Sequence, residues 1–118
     1  MGKILEMAER MWEGQVTRED LHPLRADGDC EEIAPGVLFY HSFSNLVVFD
    51  TSDGLVMVDT GTYFGQRQTF QAVRSWSGAR LNTAIYSHGH VDHVFGVPPF
   101  AQEAREKGWP PPRVVGHE

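Results

Sequence analysis

Apolar residues at Ile4, Leu5, Ala8, Met11 and Trp12 recur at helical spacing, which predicts an amphipathic helix over residues 3–13 that stops near Gly14. A polar linker follows from Gln15 to Ala34, carrying Thr17-x-x-Asp20 as a capping pattern, then His22-Pro23 and the run Asp27-Gly28-Asp29. From Gly36 the period changes. Val37-Leu38-Phe39-Tyr40, Asn45-Leu46-Val47-Val48-Phe49 and Leu55-Val56-Met57-Val58 are apolar and β-branched, and Asp53-Gly54 between the last two is a hairpin signal. Three strands in one antiparallel meander are expected, and their nearly continuous apolar character predicts a sheet covered on both faces. A helix over about residues 64–77 follows, with Phe70, Val73 and Ser77 on one stripe and Gly78 as its stop. Thr83-Ala84-Ile85-Tyr86-Ser87 reads as a buried strand, and a further helix runs from Pro99 to Lys107, with proline in its first turn and Gly108 at its end. Trp109-Pro110-Pro111-Pro112 is a rigid spacer before a last strand, Arg113-Val114-Val115.

Directly after the buried strand comes His88-Gly89-His90-Val91-Asp92-His93. With six His and seven Asp in 118 residues, an H-x-H-x-D-H string arises by chance on the order of once per thousand such sequences, so metal binding explains it better than a loop of solvated histidines. On extended backbone, residues two apart face the same side, and His88 and His90 can converge on one ion. Asp92 and His93, on the first turn of a short helix, point elsewhere and suit an oxygen-plus-nitrogen pair for a second ion. Two such half-sites close together are the arrangement in which metals generate hydroxide at neutral pH and clamp attacking and leaving oxygens.

These residues carry a family resemblance. His88 to His93 resembles the H-x-H-x-D-H signature of the metallo-β-lactamase superfamily, and Leu55-Val56-Met57-Val58-Asp59-Thr60-Gly61 resembles that family's earlier strand-Asp-x-Gly motif. Within the superfamily, His41 to Leu46, Tyr86 to Pro99 and Pro110 to Glu118 look most like the alkyl-sulfatase-like branch. The resemblance implies an α/β (α+β) chain that is the N-terminal half of a four-layer αββα fold, a mixed, mostly antiparallel sheet flanked by helices. Residues 1–35 are then an N-terminal helix and linker extension, and residues 36–118 a partial domain whose second half is absent. It further implies that His88 and His90 bind a first zinc and Asp92 and His93 a second, with Asp92 also holding or relaying a proton of the bridging water. Asp59 would orient a ligating imidazole through its distal N–H. Gly61 and Gly96 match small positions of the pattern, and tight turns needing positive φ explain both at least as well as any catalytic role. Family members are much longer and draw their remaining ligands from the second half. After His93 the sole candidates here are His117 and Glu118, and neither is favoured as a ligand.

A chain that is 41% hydrophobic and 22% charged can build one core and is not a disordered tail. Its net charge of −6, without clustered Lys or Arg, argues against nucleic acid as a partner. The single cysteine, Cys30, excludes an intrachain disulfide, and the neighbouring Glu31 and Glu32 disfavour a nucleophilic thiol, leaving a loop or half-buried position as the expectation. His22 and His41 are expected as surface or packing histidines. No apolar run reaches the length of a membrane span and no signal-peptide core is evident, so a cytoplasmic protein without membrane contact is the simplest expectation. The leading functional reading is a zinc-dependent hydrolase of a small anionic ester, with an alkyl sulfate favoured, acting through two zinc ions and metal-bound hydroxide; iron or manganese could replace zinc. The alternatives are a lactonase or thioester hydrolase of the same fold, or an inactive truncated metal-binding fragment. Half of a layered domain should also expose strand surface and favour a homodimer or aggregation.

Overall fold

Helix α1 (Lys3–Trp12) forms where the apolar spacing places it, yet none of its residues is buried. It lies against the sheet rather than within the core. Its first N–H groups, which no helix can satisfy internally, are met from outside: the Glu31 carboxylate accepts from Gly2 N (2.9 Å), Ile4 N (2.6 Å) and Leu5 N (3.2 Å). Ile4, Met7, Ala8 and Met11 share a cavity of about 320 Å³ with the strand residue Phe39 and the loop residues His41 and Asn45. This is a computed structural model that describes residues 2–22, 24 and 28–118. Pro23 and Asp27, features of the expected linker, lie outside the described residues. Thr17 and Asp20 form a local turn, with Thr17 N and Oγ1 donating to Asp20 Oδ2 at 2.8 and 2.9 Å, and among the described residues no α-helix starts there.

Among the described residues the sheet has six strands in the order β1 (Cys30–Ala34), β2 (Val37–Tyr40), β3 (Leu46–Thr51), β4 (Gly54–Val58), β5 (Leu81–Ile85) and β6 (Arg113–Val115). Strands β1 to β4 pair antiparallel, and β4, β5 and β6 pair parallel. Strand β1 corrects the sequence reading, which leaves Cys30 to Ala34 in the linker. Its residues are too polar to show a strand period; as an edge strand it is held by backbone pairing to β2, with Glu31 and Glu32 engaged by neighbours. Cys30 is therefore an exposed strand residue rather than a loop thiol. The Asp53-Gly54 signal does close the β3–β4 hairpin. Gly54 sits at φ +113°, and a Cβ there would come within 2.6 Å of Arg80 O.

Parallel neighbours need crossovers, and helices α2 (Gln66–Trp76) and α3 (Pro98–Lys107) supply them. Helix α3 opens on Pro98, one residue earlier than the pattern suggests, and ends on Gly108 at φ +67°. Both helices cover the same face, where Leu38, Tyr40, Leu46, Val48, Leu55, Met57 and Leu81 form the core with Val73 and Phe100. On α2 the buried residues are Thr69 and Val73, while Ser77 lies past the helix end. The expectation of a sheet covered on both faces is not met. Register puts Val37, Phe39, Val47, Phe49, Val56, Val58, Ile85 and Val115 on the opposite face. There Phe49, Ile85 and Val115 are 39%, 36% and 39% exposed. No helix among the described residues is long and apolar enough to cross a membrane.

Candidate metal centre

The parallel strands β4 and β5 end side by side, and the chemistry-bearing residues follow from their C-terminal ends. Strand β5 stops at Ile85 rather than at Ser87, because the chain there bends toward Asp59: Ser87 N donates to Asp59 Oδ1 at 2.8 Å and Ser87 Oγ to Asp59 Oδ2 at 2.7 Å. His88 and His90 are consequently on a loop, and strand alternation is not what brings them together. Residues 91–93 are a turn closed by His93 N donating to His90 O (3.0 Å), not the start of a helix. The rings nevertheless cluster. The centroids of His88 and His90 are 4.4 Å apart and those of His88 and His93 are 4.1 Å apart.

Two carboxylates flank the third ring. His93 Nε2 is 3.3 Å from Asp92 Oδ2, and His93 Nδ1 is 2.9 Å from Asp59 Oδ2. The second approach is a close contact rather than a hydrogen bond, for His93 Nδ1 is buried and the ring is not turned to give it a partner. Asp59 is itself buried and adopts φ +59°, a conformation that short polar residues tolerate better than others. Burial opposes its ionisation, but the Ser87 N–H and O–H and the neighbouring His93 imidazole outweigh that and hold the carboxyl below the usual carboxylate value.

Three hydroxyl residues to which the sequence reading gives no role of their own fix the loop. Thr60 N and Oγ1 both donate to His93 O, at 2.8 and 2.9 Å, and Gly96 N donates back to Thr60 Oγ1 at 3.0 Å. Ser44 Oγ donates to the backbone oxygen of Asp92. Ser87 Oγ, besides holding Asp59, lies 2.8 Å from His88 Nδ1. Thr60 inside the strand-Asp-x-Gly string and Ser87 beside His88 were visible by position; Ser44 carries no local signal. Gly61 has the expected positive φ, +83°, but Gly96 does not owe its identity to φ: a Cβ there would stand 1.8 Å from Thr60 O.

The donor set suits a divalent ion in kind and in closeness, with three imidazoles and the Asp92 carboxylate gathered at one end of the sheet. It is not a closed cage. Among the described residues no three of His, Cys, Asp or Glu are arranged to hold one ion as they stand, so the loop offers pairs of donors. His117 shares a cavity of about 280 Å³ with Ser87, His88 and Gly89, its Nδ1 2.6 Å from Glu118 O, and both terminal residues are exposed. His41 lines the cavity under α1, and His22 is exposed with its Nδ1 accepting from Leu24 N at 3.2 Å.

Comparison with known proteins gives one family. The model of the Metallo-beta-lactamase superfamily matches residues 40–117. No curated protein sequence matches the chain. Among solved structures it is similar to a metallo-beta-lactamase with a HARLDQ motif from Cronobacter sakazakii, at 25% identity and a TM-score of 0.59, over 80% of this chain and 36% of that one. It is also similar to BJP-1, a subclass B3 metallo-beta-lactamase of Bradyrhizobium japonicum, at 18% identity and a TM-score of 0.58, over 75% and 34%. The stereoselective inverting sec-alkylsulfatase Pisa1 from Pseudomonas sp. is similar at 20% identity and a TM-score of 0.57, over 74% and 14%. The last two likenesses are of fold alone. The chain spans about a third of the length of the two lactamases it matches.

Proposed function

Since the chain belongs to the metallo-beta-lactamase superfamily, we propose that its histidine loop is the N-terminal half of a dinuclear zinc hydrolase site acting on a small anionic ester. His88 and His90 would hold one ion, and Asp92 and His93 the other. The observation that carries this reading is the packing of three imidazole rings within 4.1 and 4.4 Å beside Asp92, on a loop that Ser44 and Thr60 pin to the sheet. Bound zinc would supply Lewis acidity and a nucleophile at neutral pH. The chain's own residues supply the rest. Asp92 presents its Oδ2 at 3.3 Å from His93 Nε2, a carboxylate able to take or return a proton at the mouth of the loop. Asp59, buried behind it, holds negative charge against the His93 ring. Iron or manganese would also satisfy this donor set.

An alkyl sulfate is the favoured substrate, supported by the likeness of His41 to Leu46, Tyr86 to Pro99 and Pro110 to Glu118 to the alkyl-sulfatase-like branch and by the structural similarity to a sec-alkylsulfatase. A lactone or thioester is the alternative. Two donors per ion are fewer than the three with which proteins usually hold a catalytic zinc, so the 118-residue chain by itself should bind weakly. The test is elemental analysis after dialysis, expected to give fewer than two equivalents of zinc and no sulfatase or esterase turnover. A longer form spanning the whole family domain should hydrolyse a primary alkyl sulfate, and His90→Ala or Asp92→Asn in that form should abolish turnover without unfolding it. Full activity in either variant, or a chelator-insensitive reaction, would refute the assignment.

A further inference from the structure

We infer that Ser87 is a positioning residue that converts the charge of Asp59 into a fixed tautomer of His88, leaving Nε2 as that ring's lone-pair nitrogen. The inference rests on the proposed metal role of His88, but its central claim concerns the protein alone.

The argument is a count of protons. Ser87 Oγ is 2.7 Å from Asp59 Oδ2 and 2.8 Å from His88 Nδ1, and it has one hydrogen for the two contacts. Asp59 accepts the Ser87 backbone N–H on Oδ1 and the Ser87 hydroxyl on Oδ2, and a carboxylate gripped by donors on both oxygens only accepts. The Ser87 hydroxyl hydrogen therefore goes to Asp59. Its oxygen is left to accept, and the only donor His88 can offer at that place is Nδ1–H. A neutral His88 then carries its lone pair on Nε2, opposite the tautomer that free histidine prefers in water.

The anchor for this chain is rigid. Ser87 N donates to the other Asp59 oxygen at 2.8 Å, so the carboxylate grips Ser87 through both oxygens and cannot turn away without orphaning a backbone N–H. Asp59 Oδ2 is also the oxygen 2.9 Å from His93 Nδ1. One buried carboxylate thus stands behind two of the clustered rings: directly behind His93, and through a hydroxyl behind His88. Outer partners of this kind ordinarily change metal affinity by about 10- to 100-fold when removed.

Three variants separate this role from a merely structural one. In Ser87→Ala the Asp59 grip on the backbone N–H survives while the link to His88 is lost. Ser87→Thr retains the hydroxyl. In Asp59→Asn the backbone N–H of Ser87 claims the amide oxygen, the amide NH₂ faces Ser87 Oγ, and the hydroxyl must donate to His88 Nδ1 instead, which inverts the tautomer. The readout is the long-range ¹H–¹⁵N spectrum of metal-free, ¹⁵N-labelled protein above the pH at which imidazoles titrate. Wild type and Ser87→Thr should show His88 protonated at Nδ1, Ser87→Ala a mixture, and Asp59→Asn protonation at Nε2. Zinc affinity measured against a competing chelator should fall about 10- to 100-fold in Ser87→Ala and recover in Ser87→Thr. A wild-type His88 protonated at Nε2, or a tautomer unmoved by both Ser87→Ala and Asp59→Asn, would overturn the inference. Wild-type protein that takes up no zinc while its His88 tautomer responds as described would instead sink the metal reading and leave the positioning role of Ser87 standing.

Discussion

Thr60 is fully buried, and its hydroxyl stands between two backbone groups of the histidine loop, donating to His93 O and accepting from Gly96 N. Thr60→Val keeps the shape and removes both bonds, leaving the Gly96 N–H buried without a partner. Orphaning a buried group of this kind costs about 1–3 kcal/mol, and thermal melting should show a loss of that order. Gly96→Ala should cost more, because its Cβ would sit 1.8 Å from Thr60 O, a backbone atom that can retreat only by moving β4 or the loop. If Gly96→Ala melts like the wild type, the packing of the loop against Thr60 is wrong. At this scale the sequence was partly legible. The four residues of the H-x-H-x-D-H string announce themselves by type and spacing, and Asp59 through the family resemblance of its strand-Asp-x-Gly motif; the structure gathers them at one end of the sheet. What the string hides is that a turn, rather than strand alternation, brings the rings together. That depends on Ser87 leaving the strand for Asp59, a contact 28 residues away in sequence.

Helices α2 and α3 meet through Arg74, whose Nε and Nη2 reach Glu103 at 2.6–3.0 Å while Nη1 donates to Ser77 O and Ala79 O at 3.0 and 2.8 Å. The guanidinium also lies 5.5 and 5.2 Å from the Phe70 and Phe100 ring centroids. Both charges are largely withdrawn from water, with side-chain exposures of 15% and 11%. Arg74→Ala leaves Glu103 with Lys107 alone and should destabilise by about 3 kcal/mol, the low end for removing one partner of a buried pair. Arg74→Lys should recover little of it, since an ammonium cannot fork to a carboxylate and two carbonyls together; denaturant midpoints for the pair would decide. In the same last turn of α2, Trp76 Nε1 donates to Glu32 at 2.7 Å, and Glu32 also accepts from Gly36 N at 3.0 Å; these bonds hold its carboxyl below the usual value against a small opposing effect of burial. A carboxyl depressed on folding stabilises fully above the ordinary carboxylate range, and that contribution is lost as pH falls through the depressed value. Glu32→Gln should therefore flatten the acid limb of stability against pH, and an unchanged limb would contradict the role. Elements with an apolar period were readable to within a few residues. Strand β1 was not, because Glu31 and Glu32 do their work by capping α1 and gripping Trp76 and Gly36, which no local pattern records.

At the scale of the molecule, the six-stranded mixed sheet with α2 and α3 on one face is half of the metallo-beta-lactamase fold. The uninterrupted apolar strands predict a sheet covered on both faces; among the described residues α2 and α3 cover one, and the other is covered only in part. On the other, α1 shelters the region around Phe39, whereas Phe49, Ile85 and Val115 stay more than a third exposed beside Val47, Val56 and Val58. Strand β6 adds an edge whose three residues are all exposed. A contiguous apolar face ending in an unprotected edge favours association with another such face. Sedimentation velocity on the separate 118-residue chain should therefore show dimers or larger species at micromolar concentration. Phe49→Glu, which puts a charge on that face without touching the helix-covered core, should shift the distribution toward monomer. Glu106→Gln, an exposed change on α3, should leave it unaltered. A wild-type chain that sediments as a monomer and melts cooperatively would mean that the open face is closed by the chain itself. An assembly indifferent to Phe49→Glu would put the contact elsewhere, with the β6 edge the next surface to substitute.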